Sequence, residues 1–67
     1  MATAQYFDEN GVLVLEITVD DSAPLDPVGA LATLLVVEGV VDLASAADVV
    51  RLPEQALIDE ATAWSLG

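Results

Sequence analysis

The 67-residue chain contains no cysteine, no histidine and no lysine, and Arg51 is its only cationic side chain. The missing cysteines exclude a disulfide staple and any thiolate metal site. The missing histidines remove the commonest metal ligand and the commonest acid–base group. Ser22, Ser45 and Ser65 are therefore left without a base partner of the usual kind. Two carboxylate pairs, Asp20/Asp21 and Asp59/Glu60, could in principle divide acid and base roles. Adjacent residues on a helix point in different directions, however, and so short a chain leaves little room for a cleft. Asp20, Asp21 and Asp26 lack the alternating acids, central glycine and terminal glutamate of an EF-hand loop, and read as turn and cap residues. The expectation is a non-enzyme with no cofactor and no bound metal.

What the chain does have is carboxylate and apolar surface. Twelve acidic residues against one basic residue give a net charge of −11. That charge opposes an approach to phosphate backbones or anionic membranes, so neither nucleic acid nor membrane is an expected partner. It favours basic proteins, divalent cations or a salt-rich environment, and its simplest role is solubility. Hydrophobic residues make up 55% of the sequence. A domain this small buries only about 60% of its unfolded surface. The surplus points to dense packing, self-association or docking on a larger partner. The N-terminal stretch MATAQYFDEN lacks the basic region and apolar run of a signal peptide. The expected location is the cytoplasm, or a particle assembled there.

Val28–Val37, VGALATLLVV, carries no charge, and the expectation is a helix covered on nearly every side. Asp26-Pro27 in front and Glu38-Gly39 behind are start and stop signals, giving a helix over 26–38. It falls far short of the ~20 residues that cross a bilayer. Before it, residues 4–19 read as a β-hairpin turning at Asn10-Gly11. A two-residue turn sets Phe7 against Val14 and Tyr6 against Leu15. Alternation then places Tyr6, Leu13, Leu15, Ile17 and Val19 on the core face. Phe7, Val12 and Val14 fall on the other face and are interface candidates. After the central helix, Asp42 caps a short helix over 42–50, and Pro53 opens a last helix over 53–66. The stripe Leu57, Ala61, Trp64 faces the core, with Glu54, Asp59, Glu60 and Thr62 largely off it. Trp64 reads first as a core anchor and second as an interface hot spot. Arg51 reads as the partner of Asp48 or Glu54, or of a carboxylate on another protein.

The segment DLASAADVVRLPEQALIDEATAW resembles a helix-turn-helix. Asp42 at the first cap, the Ala46-Ala47 pair, Leu52 in the turn and Leu57 in the second helix match that pattern, and the likeness extends over residues 26–66. The resemblance implies a tri-helical scaffold with the hairpin as a wing. Arg51 stands where the turn glycine usually lies, and Pro53 where a capping serine or threonine is usual. DNA-binding members present basic and amide side chains from the second helix. The corresponding surface here offers Glu54, Gln55, Asp59, Glu60 and Thr62, so the likeness implies a fold and not DNA binding.

The expected fold is α+β, one small domain in which an N-terminal hairpin packs on a three-helix bundle. The expected function is a non-catalytic interaction or structural module, a homo-oligomer or docked subunit of a larger assembly such as a minor phage virion or assembly protein. The alternative is an acidic nucleic-acid mimic, an inhibitor or adaptor that occupies a basic protein surface.

Overall fold

A computed structural model describes residues 1–66. An antiparallel hairpin of β1 (Ala2–Phe7) and β2 (Leu13–Val19) precedes three helices, α1 (Pro27–Val37), α2 (Leu43–Val50) and α3 (Glu54–Leu66). The α+β architecture is the one expected.

α1 starts where Asp26 accepts a hydrogen bond from the Gly29 N–H at 2.8 Å, with Pro27 in the first turn. It ends where Gly39, at φ 77°, lets the Val40 N–H reach back to the Leu35 carbonyl at 2.9 Å. α2 repeats the scheme: Asp42 accepts from the Ser45 N–H at 3.2 Å. Its stop is unusual, because Arg51 occupies the left-handed region at φ 59° while the Leu52 N–H reaches the Ala47 carbonyl at 3.1 Å. The residue noted as replacing a turn glycine thus adopts a glycine-like conformation.

The core is small-grained. Ala32 of α1, Ala46 and Ala47 of α2 and Leu57 of α3 form its centre, ringed by Leu25, Val36, Val41, Leu43, Val50 and Leu52. Thr33 is fully buried and donates its hydroxyl hydrogen to the Gly29 carbonyl at 3.0 Å, so the one polar side chain of α1 stays satisfied. Trp64 does not anchor this core; it is 37% exposed, and Leu57 at 1% takes that role. The alanines close tightly around one leucine, leaving no place for an indole. The buried stripe of α3 runs instead through Leu57 and Glu60. The Glu60 stem is covered, and no buried side-chain polar atom among the described residues lacks a partner.

The hairpin departs from expectation in its turn. The Gly11 N–H donates to the Asp8 carbonyl at 3.0 Å and the Asp8 N–H to the Val12 carbonyl at 2.9 Å. Only Gly11 takes a positive φ there, at 79°. The loop is therefore three residues ending on a left-handed glycine, rather than a two-residue turn on Asn10-Gly11. The Asp8 carboxylate accepts from both the Asn10 and Val12 N–H groups, at 2.8 and 3.0 Å, and selects this form. Tyr6 faces Leu15 as expected, but the register shifts at the next residue and Phe7 faces Leu13, leaving Val14 as the extra residue of a bulge. Leu13 is thereby turned away from the core face and is 46% exposed. Farther down, the outer face is polar and paired, with Thr3 bonded to Thr18 at 2.9 Å and Gln5 donating to Glu16 at 2.8 Å.

The backbone of the hairpin packs against α1 alone; among the described residues the backbones of α2 and α3 stay farther from it. α2 and α3 both pack on α1 and on each other. α1 is consequently not covered all round. Val28 is more than half exposed, because the hairpin and α2 flank α1 without meeting over it.

Candidate functional site

That gap is an open apolar groove of about 250 Å³. Its floor is the α1 stripe Val28, Leu31, Ala32 and Leu35, at the i, i+3, i+4 and i+7 positions of one helix face. One wall is Ser45, Ala46, Val49 and Val50 of α2, with Val41 at the end. Tyr6 of the hairpin forms the other wall. No charged side chain lines it. The floor is kept low by the methyl groups of Ala32 and Ala46, both about 5% exposed. Val28 at 57% and Val49 at 79% stand on its two edges.

Carboxylates lie around this groove. Asp26 is next but one to Val28 and lines a depression that shares Val28 and Val50 with the groove, Asp42 follows Val41, and Asp8 is two residues from Tyr6; all three are exposed. Of these, Asp42 is held below the ordinary aspartate value of 3.8, chiefly by its hydrogen bonds with the Ser45 side chain and backbone. Arg51 lies on a different face of α2. It lines a separate, more polar depression with Ala44, Ala47, Asp48, Pro53 and Glu54.

The five interface candidates fall into three places. Phe7, Val12 and Val14 sit together at the turn end of the hairpin and are 49, 59 and 43% exposed. Trp64 is exposed near the end of α3, and Arg51 is exposed where α2 stops. The backbones of α2 and α3 stay away from the hairpin, so the hairpin-turn candidates stand apart from Arg51 and Trp64. Arg51 does not make the expected local ion pair. The single ion pair among the described residues joins the Met1 amino group to Asp21 at 3.4 Å, in full solvent.

The groove residues themselves escaped the sequence reading. Their signal was the absence of charge on α1, read as a sign of complete burial. What periodicity could not convey is that two neighbours of α1 fail to meet.

Asp20 accepts from the Ser22 N–H and hydroxyl at 3.1 and 2.8 Å, and Asp26 from Gly29, so the connector carboxylates serve turn and cap. Gln55, the one side chain of α3 suited to reading a base edge, donates to Asp59 at 2.8 Å. No helix among the described residues is long and apolar enough to cross a membrane. No protein-family model, no curated protein and no solved structure matches the chain.

Proposed function

We propose that this chain is a non-catalytic protein-interaction module that works as a docked subunit of a larger assembly, in the cytoplasm or in a particle formed there. The observation that supports this reading is the uncharged groove over α1 in a protein whose remaining surface is so acidic. At about 250 Å³ the groove lies below the roughly 300–1,000 Å³ of pockets that enclose a drug-sized ligand, and it suits a few apolar side chains of another protein. The three helices serve as a helix-turn-helix-like scaffold whose use is display of that surface. A nucleic-acid mimic would array carboxylates along one face, whereas the most continuous surface feature here is apolar.

The test is an amide NMR titration with a neutral amphipathic helical peptide. Saturable shifts at Leu31, Ala46 and Val49, lost in the double variant Val28→Gln/Val49→Gln, are expected. Both positions are exposed, so the variant keeps its fold. No groove-directed binding by a neutral peptide or by either charged version of it overturns the reading.

A further inference from the structure

Resting on that reading, the geometry points to one class of occupant: an amphipathic helix whose apolar residues enter the groove and whose flanks carry lysine or arginine. Three observations converge on it. The groove is bounded by rods on one side and its floor is a helical stripe, so a third helix lying along it can interleave side chains at i, i+3 or i+4, and i+7. Its lining offers no charge and only two hydroxyls, those of Tyr6 and Ser45, too few partners for the backbone groups of an extended strand. The exposed carboxylates of Asp8, Asp26 and Asp42 lie near its borders, Asp26 in a depression that shares Val28 and Val50 with the groove, while the sole basic side chain, Arg51, faces a different depression together with Asp48.

A second copy of this chain fits less well. It would bring another −11 charge to the same acidic rim. Its own spare apolar surface at the hairpin turn is flanked by Asp8 and Glu9, which would be set against that rim. A basic helix gains at those points where a second copy loses. The same complementarity speeds encounter and makes binding fall with salt, since exposed charges are screened beyond about 10 Å at 0.1 M.

The experiment compares three helical peptides with identical leucine anchors and with lysine, glutamine or glutamate at the flanking positions. Each is titrated against the intact chain by fluorescence anisotropy at low and high salt, and sites are mapped by amide shifts. The lysine peptide should bind at least about tenfold more tightly than the glutamate peptide at low salt, and the gap should close as salt rises. Val28→Gln/Val49→Gln should weaken all three, and Asp42→Asn, which keeps the cap acceptor and removes a rim charge, should narrow the lysine–glutamate gap. Equal affinities for the three peptides, with shifts still in the groove, overturn the basic-helix inference and leave the interaction module standing. So does a concentration-dependent doubling of mass with groove shifts and no peptide. Lysine-peptide binding that maps outside the groove, or survives the double variant unchanged, also overturns it. If none of the peptides reaches the groove and no self-association occurs, the interaction reading itself fails.

Discussion

α1 and the turn end of the hairpin are both apolar, yet they meet opposite fates. Leu31, Ala32 and Leu35 of α1 are nearly sealed, whereas Phe7, Val12, Leu13 and Val14 each leave about half their surface in water. Hydropathy does not separate them; neighbours do. α1 touches every other element, while the backbone of the hairpin packs against α1 only, and its turn end projects past that single seam. Burial in a protein this small is decided by where elements can reach, and apolar surface beyond that reach stays in water.

The contrast can be broken most severely at Leu57. Leu57→Ala removes the one large side chain that fills the space between α1 and the alanines of α2, and should cost about 3 kcal/mol. Urea unfolding followed by circular dichroism should show a midpoint moved far toward zero denaturant, and an unshifted midpoint would refute this account of the core. A smaller effect of opposite sign is expected at the end of α2. Arg51→Gly relieves a left-handed backbone and should stabilise by about 1 kcal/mol, read as a higher urea midpoint. At the hairpin turn Val14→Asp should change stability by no more than about 0.5 kcal/mol, because the bulge already holds Val14 in solvent. A loss comparable to that of Leu57→Ala would mean that the two regions are not different after all.

The subtlest effect is a pH dependence. Asp42 is bound more firmly as a carboxylate in the folded chain than in the unfolded one, so its folded pKa lies below the ordinary value. Its contribution is therefore complete above the unfolded pKa and is lost as pH falls through the folded one. Asp42→Asn keeps a cap acceptor and removes the titration. The stability difference between the wild type and this variant should stay level from pH 7 to 5 and shrink below about pH 4. Comparing the two chains cancels the general relief of self-repulsion that acid brings to so negative a protein. A difference that does not change with pH would exclude Asp42 as the titrating group.

Local chemistry was legible in the sequence wherever one residue decides one conformation. Asp26-Pro27 and Asp42 announced helix starts, Glu38-Gly39 announced a stop, and Tyr6 against Leu15 followed from alternation. Where two local signals competed, the reading slipped. Asn10-Gly11 suggested the tighter turn, but the Asp8 carboxylate captured two N–H groups and moved the register by one residue, which carried Leu13 off the core face. The stripe of α3 was legible at Leu57 and not at Trp64, since periodicity gives a direction and says nothing of how much volume waits there. The groove lay further out of reach. It is made by a distance between two elements that no stretch of residues encodes.

The single seam between hairpin and α1 also shapes how the molecule fluctuates. Strands fastened to one helix can come away together while α1, α2 and α3 keep their shared alanine contacts, and two cooperative units of unequal strength are the expected outcome. Amide hydrogen exchange should show β1 and β2 opening at a lower free energy than residues 30–35, and equal protection would join them into one unit. Tyr6 belongs to the weaker unit and is one wall of the groove. The width of that groove is therefore a thermally sampled quantity, and whatever settles into it also sets the exchange rate of the strands beside it.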